Sequence, residues 1–250
     1  RKKVVDTVLY GLVPVMDTYI SADHPLIATS LATYPYIPSE GARILESLGW
    51  RDHDQNPATP RVAIGVDRVP PYTELTVTYL TTSAAQRRQV SEILAQSLRG
   101  CGIGVNVINT PFSEFYAEGP IGPLFGRTFD LAEYAMSTIT VLPPCGRFTT
   151  AGIPNATNRW IGTNYSGYKN PVFDTACANA SQSLPSEASY LENYRLTQTI
   201  FSQDIPAIPL YSRIETAATR FDFCNFILEP TASSDLFAIE LFDYGESCLP

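Results

Sequence analysis

Histidine is nearly absent from this chain of 250 residues: there are two, His24 and His53. His24 precedes Pro25 in an extended stretch and His53 lies in a polar loop, so both read as surface residues. Any Ser-His-Asp or Cys-His device would have to use one of them. No G-x-S-x-G elbow, Walker A loop or dinucleotide fingerprint occurs. The five cysteines, Cys101, Cys145, Cys177, Cys224 and Cys248, show no C-x-x-C spacing and lie far from both histidines, which leaves a zinc site poorly supported. Positive charge is scarce as well. Seventeen Lys and Arg against 25 Asp and Glu give a net charge of −8. No stretch has the basic density that neutralises phosphates, so the charge argues against nucleic acid as a partner. Arg87-Arg88, the internal basic pair, reads as a solvated helix face. No apolar run approaches the ~18 residues of a membrane-spanning helix. Arg1-Lys2-Lys3 leads into a charged amphipathic segment and not into the apolar core of a signal peptide, as expected of an expressed fragment or a processed chain. Nothing calls for a cofactor.

What is present is an apolar fraction of 44%, ordinary for a folded domain with a sizeable core. The length fits one large domain or two small ones. Lys2 to Leu12 reads as a helix with Val5, Val8, Leu9 and Leu12 on one stripe. Residues 13 to 37 are proline-dotted and read as an extended meander. Pro38-Ser39-Glu40 opens a second helix, with Ser39 as its expected cap and Gly49 as its stop. Residues 52 to 71 read as a polar loop.

Glu74 to Leu80 has the β-branched and aromatic content of a strand. Ser83 is the expected cap of the next helix, whose Val90, Ile93, Leu94 and Leu98 share a face. Gly100 and Gly102 end it, and Ile103 to Ile108 forms a second strand. This is a βαβ unit with parallel strands. A short helix over 111–118 and a strand over 128–136 follow. Residues 142 to 163 read as a loop, 171–183 and 187–203 as helices, and Ala207 to Tyr211 as a final strand. The tail from Asp222 alternates apolar residues. The cysteines fit either buried thiols or two disulfides with one spare, and the preferred pairs are Cys145–Cys177 and Cys224–Cys248.

Carboxylates could serve a glycoside hydrolase, and Asp130 and Glu133 are the candidates. On a strand, residues three apart point to opposite faces, which disfavours them as a pair. N-x-S/T triplets occur at Asn155, Asn164 and Asn179 and matter only in a glycosylating host.

Five phrases recur in a familiar order. Leu45-Glu46-Ser47-Leu48-Gly49-Trp50 resembles the "LL-x-x-x-G-W" helix end of family 5 solute-binding proteins, the oligopeptide, dipeptide and nickel binders of ABC importers. Gly102-Ile103-Gly104-Val105 is similar to that family's "G-I-x-V" turn, and Phe129-Asp130-Leu131 to its next strand start. Asn164 to Asp174 resembles its "N-x-x-G-Y-x-N-P-x-F-D" signature. Asp204 to Leu210 resembles its "D-x-P-x-I-P-L" strand entry.

The resemblance covers residues 1 to 215. It implies an α/β fold of the periplasmic-binding-protein-like (type II) kind, a mixed sheet flanked by helices. Residues 1–215 would form the C-terminal lobe of a bilobed receptor, and 216–250 a return segment towards an N-terminal lobe. The implied role is capture of a small solute, peptide-like or other, in an inter-lobe cleft and its delivery to a membrane permease. The protein would be monomeric, extracellular or periplasmic, with an export signal and a possible lipid anchor elsewhere in the full-length protein. The signature itself reads as scaffold: Gly167 permits a turn, Asn170 caps a helix opened by Pro171, and Tyr168 and Phe173 anchor it.

Ligands bind beyond the carboxyl ends of strands in open α/β sheets. Here that points to Tyr134 to Ile139. Peptide-binding members carry "W-x-x-D" there, whose aspartate pairs with the peptide's amine. This sequence has Met136-Ser137-Thr138-Ile139 instead, so an amine would lack its usual counter-ion. Glu133, which lies nearby, could take over. The expected ligand-binding residues are Glu133, Tyr134, Met136, Thr138, Phe148, Arg159, Trp160 and Tyr165, with Arg159 able to hold a carboxylate. Two other readings stand beside the receptor: a secreted carboxylate-dependent hydrolase, and the same lobe serving as a sensor or adhesion module.

Overall fold

A computed structural model describes residues 1–136, 142–229, 232 and 234–248. The central element is a three-stranded parallel sheet. β1 (Trp50–Arg51) and β2 (Val62–Ala63) form an antiparallel ribbon outside it. The sheet is built from β3 (Thr76–Thr82), β4 (Gly104–Thr110) and β5 (Leu131–Ala132), in the order β4-β3-β5. Its register runs from Thr76 opposite Gly104 to Thr82 opposite Thr110. α3 (Ala85–Arg99) connects β3 to β4, completing the expected βαβ unit. Val90 and Ala95 are its fully buried apolar contacts. Tyr79, Ala95 and Val105 form one core beneath it, with Leu94, Leu98 and Leu131 packed around them.

Two short helices, α4 (Phe112–Phe115) and α5 (Pro123–Gly126), carry the chain from β4 to β5. Phe115 and Leu124 are wholly buried there against Leu80. The strand expected over 128–136 is only two residues long in its ladder. Glu133 extends it by one hydrogen bond, from its N–H to the Leu80 carbonyl at 2.9 Å.

α1 (Lys2–Val8) ends earlier than its sequence stripe suggests, because Tyr10 and Gly11 turn into left-handed backbone with φ of 52° and 73°. α2 (Pro38–Ser47) begins with Pro38 in its first turn and Ile37 as cap. Neither α2 nor α3 has a side-chain cap. The expectation for Ser39 is corrected because the helix starts at Pro38, two residues before a Ser39 cap would allow, so Ile37 holds the cap position. The expectation for Ser83 is corrected because α3 starts at Ala85, which puts Ala84, without a side-chain acceptor, in the cap position. β1 abuts the start of what reads as a polar loop, and β2 falls in its middle. Their ribbon is held from below by Arg61, which is 6% exposed. The Arg61 guanidinium meets Glu46 and donates to the carbonyls of Trp50 at 3.1 Å and Cys101 at 3.0 Å.

α6 (Pro171–Gln182) and α7 (Ala188–Asp204) pack together over a second core of Tyr19, Ile20, Phe148, Phe173, Tyr194 and Phe201. This core captures the meander. Gln198, fully buried on α7, accepts from the Ala28 N–H at 2.9 Å and donates to the Leu26 carbonyl at 2.8 Å. The residues from 207 to 211 form no strand. Pro206 and Pro209 lack the N–H donors a ladder needs, and only a bridge between Val15 and Tyr211 remains. In the tail, β6 (Phe223–Cys224) pairs with β7 (Asp243–Tyr244) beside a cluster of tilted and edge-to-face rings, Phe223, Phe226 and Phe242. Both preferred disulfides are formed, Cys145–Cys177 and Cys224–Cys248, and Cys101 is a free thiol.

Candidate binding crevice

All three strands of the sheet point their carboxyl ends to one edge, and the side chains there come from four separate segments. Tyr134 leaves β5 and meets Tyr165 edge-to-face, with ring centroids 4.9 Å apart. Tyr165 in turn meets Phe125 of α5 at 5.4 Å, again edge-to-face. Tyr116, just past α4, packs on Phe115 at 4.8 Å. Edge-to-face pairs set the electropositive rim of one ring on the electronegative face of another, which fixes their orientation as well as burying area. The three hydroxyls belong to one electrostatic neighbourhood. Burial raises the Tyr134 phenol to about 12, with Tyr165 next to it adding to the rise. Burial likewise raises Tyr165 and Tyr116. All three therefore stay protonated at neutral pH and can donate hydrogen bonds. Arg147 lies close enough to oppose the rise at both Tyr134 and Tyr165.

Trp160 is presented on an unusual backbone. Arg159 and Trp160 both adopt left-handed conformations, φ 54° and 62°, which non-glycine residues rarely take. The turn is held by the Trp160 N–H on the Asn155 carbonyl at 2.9 Å. Its side chain presses on Gly119, where an added Cβ would stand 2.6 Å from the Trp160 Cβ. Gly119 is thus required for close approach. Arg159 is exposed.

Three of the expected residues behave differently from their expectation. Phe148 is 1% exposed and belongs to the core with Tyr19 and Phe201, at ring distances of 5.6 and 4.8 Å. The disulfide at Cys145 pulls its turn onto α6, so Phe148 packs inward and cannot line a crevice. Met136 is half-buried against that same core. Glu133 is 5% exposed and already engaged. Its Oε1 accepts from Arg87 at 2.6 Å and its Oε2 from the Tyr79 hydroxyl at 2.8 Å. Burial pushes the Glu133 carboxyl up, against the opposing pull of Arg87 and Tyr79. A short ion pair with a second hydrogen bond keeps it satisfied inside the protein. Thr138 lies outside the described residues. The structure brings together Tyr134, Tyr165 and Glu133 near the sheet edge and adds Tyr116, Phe125 and Arg147, for which the sequence held no periodic or motif signal.

The signature segment proves to be a structural knot. Asn164 is wholly buried. Its amide donates to the carbonyls of Phe148, Thr149 and Tyr168 at 3.1, 2.9 and 2.8 Å, and its oxygen accepts from the Ser166 hydroxyl and the Tyr168 N–H. Its N-x-S triplet is therefore closed to glycosylation. Asn170 caps α6, accepting from the N–H groups of Val172 and Phe173 at 2.9 and 3.1 Å. Asp174 accepts from the Thr150 N–H at 2.9 Å. Gly167 sits at φ 71°, with the Arg127 guanidinium where a Cβ would be. Two shallow grooves lie away from the crevice, one between α6 and α7 around Val172 and Leu196, the other between α1 and α3 around Tyr10 and Ile93.

A parallel sheet flanked by helices, with an aromatic cluster at its carboxyl edge, fits the architecture of a periplasmic-binding-protein-like lobe. Comparison with solved structures gives the same fold. The oligopeptide-binding protein AppA from Bacillus subtilis, solved with a nonapeptide, superposes with a TM-score of 0.74 at 18% identity, over 98% of this chain and 45% of that one. The oligopeptide-binding protein from Thermus thermophilus, solved with a pentapeptide, gives 0.71 at 21% identity, over 85% of this chain and 35% of that one. In sequence, 79 residues are 32% identical to the peptide transport periplasmic protein SapA of Salmonella typhimurium, covering 31% of this chain and 14% of SapA. No family model matches the chain. The chain thus spans less than half the length of each of these proteins. These likenesses agree in fold with what the resemblance drawn from the five phrases implies.

Proposed function

We propose that this chain is one lobe of the extracellular solute-binding component of an ABC importer. It captures a small, peptide-like solute against the aromatic crevice and delivers it to a membrane permease. A second lobe supplies the opposite wall, and closure of the two lobes about a hinge traps the ligand. The chain binds and does no chemistry on what it binds. Residues 1–215 form the C-terminal lobe, and 216–250 return towards the other lobe. The protein works as a monomer in the periplasm or at the cell surface.

The observation that carries this reading is the placement of Tyr116, Tyr134 and Tyr165 at the carboxyl edge of the parallel sheet. Three protonated hydroxyls set among rings make an apolar wall with a few donors, which is how small-molecule sites are composed. The fold likeness to two oligopeptide-binding proteins supports the same conclusion. Native mass spectrometry of the full-length protein, purified gently, tests it. A retained peptide-sized adduct is the expected result. Turnover of a glycoside panel by the purified protein would overturn it.

A further inference from the structure

Glu133 and Tyr134 are neighbours in the chain, yet they serve opposite faces of the sheet. Side chains alternate along a strand. On β3, Tyr79 points to the face covered by α3 and Leu80 to the face covered by α4 and α5. On β5 the same alternation sets Leu131 with Tyr79 and Ala132 with Leu80. Glu133 therefore belongs to the α3 face, where its carboxylate takes Arg87 at 2.6 Å and Tyr79 at 2.8 Å. Tyr134 belongs to the other face, where it meets Tyr165 edge-to-face at 4.9 Å.

The register of β5 with β3 ends at Ala132, opposite Leu80. Beyond that point the ladder no longer dictates which way Tyr134 turns, and the anchoring of Glu133 takes over. Its N–H donates to the Leu80 carbonyl at 2.9 Å, and its carbonyl accepts from the Thr81 hydroxyl at 3.1 Å. With the two carboxylate contacts, Glu133 is tied at four points to β3 and α3. Thr81 is wholly buried, and Tyr79 and Glu133 nearly so. Buried hydrogen bonds weaken steeply when misaligned, so four of them define one orientation sharply. A residue held at both backbone groups and both carboxylate oxygens cannot roll about the strand axis, and the next side chain is sent to the opposite face. Tyr134 is thereby delivered to Tyr165, whose ring also meets Phe125 of α5 at 5.4 Å.

On the reading of this aromatic cluster as the solute wall, we infer that Glu133 is a positioning residue: it aims Tyr134 at the solute and does not touch the solute itself. Fluorine NMR of the full-length protein labelled with 3-fluorotyrosine reads the direction of Tyr134, because the Tyr165 ring shifts its signal. Tyr134→Phe assigns that signal. Native mass spectrometry with a pooled tripeptide mixture reads binding. Glu133→Ala should move the Tyr134 signal towards that of free fluorotyrosine and leave the signal of Tyr194, in the second core, in place. Binding of the pool should fall at least about tenfold, the loss expected when one well-made contact goes. Glu133→Gln keeps the length and hydrogen bonding of the side chain and should restore most of both. If Glu133→Ala also loses the Tyr194 signal, it has unfolded, and Tyr79→Phe decides in its place by removing one anchor and no charge. A displaced Tyr134 signal with weaker binding then supports the inference. An unmoved Tyr134 signal, or a moved one with unchanged binding, overturns it while leaving the receptor reading in place. Wild-type protein that takes up none of the pool overturns the solute-wall reading and the inference together.

Discussion

Arg87 in the first turn of α3 and Glu133 at the end of β5 meet at 2.6 Å, pinning the crossover helix to the strand beside it. Glu133 is 4% exposed at its side chain and Arg87 21%. Removing the cation from such a pair leaves a buried carboxylate without its charge partner. Arg87→Met should therefore cost about 3 kcal/mol at neutral pH, the lower end of the range for buried pairs, because Arg87 keeps some contact with water. The pH dependence has a definite sign. Burial raises the Glu133 carboxyl in the folded state, and loss of Arg87 raises it further. A raised carboxyl favours folding below its unfolded value of about 4.3 and loses that contribution as pH rises through the folded value. The deficit of Arg87→Met in urea unfolding should thus be smaller at about pH 4 than at about pH 7.

Glu46 behaves in the opposite sense. Hydrogen bonds from Arg51 and Arg61 hold its carboxyl down to about 2. A depressed carboxyl stabilises above its unfolded value and loses that contribution as pH falls through the folded one. Acidification from about pH 5 towards pH 2 should lower the melting temperature, in part through Glu46. Glu46→Gln should lower the melting temperature at neutral pH and flatten that acid limb. The same slope in both proteins would sink the assignment.

Asn164 makes five hydrogen bonds from a fully buried position. Asn164→Ala removes the shared partner of three carbonyls and two donors. Unsatisfied buried groups cost about 1–3 kcal/mol, so a loss of about 3 kcal/mol is expected in chemical denaturation. Val172→Ala, on the exposed side of α6, should change stability by less than about 0.5 kcal/mol and serves as the control.

The Cys145–Cys177 bridge closes a loop with a sequence separation of 32. A cross-link of that length restricts the unfolded chain by about 3–4 kcal/mol in the loop-entropy description. The double substitution Cys145→Ser with Cys177→Ser should lose about that much in denaturant unfolding. It should also loosen the turn that carries Arg147 and Phe148, seen as faster amide exchange there than in α3.

Local physics made much of this fold legible in the sequence. The βαβ unit could be read because strand and helix periodicities alternate there and glycines mark the turns. The disulfides fell on the preferred pairs. The cap at Asn170 could be read because Pro171 must open a helix and a short polar side chain must precede it. Three expectations failed, each for its own reason: the strand at Ala207 to Tyr211, the cap at Ser39 and the outward reading of Phe148. Prolines blocked the first, an earlier helix start displaced the second, and a disulfide drew the third into the core.

By itself, then, the sequence determined the alternation of elements and the capped turn into α6, since each rests on neighbours within a few residues. Only the tertiary structure decided what lines the crevice. Tyr116, Phe125, Tyr134, Arg147 and Tyr165 come from segments spread over fifty positions, and no local rule relates them. It also decided the fate of Glu133. A carboxylate next to Tyr134 looks free in one dimension. In three, Arg87 and Tyr79 stand close enough to take both of its oxygens, because burying that charge without them would cost more than the fold can spare.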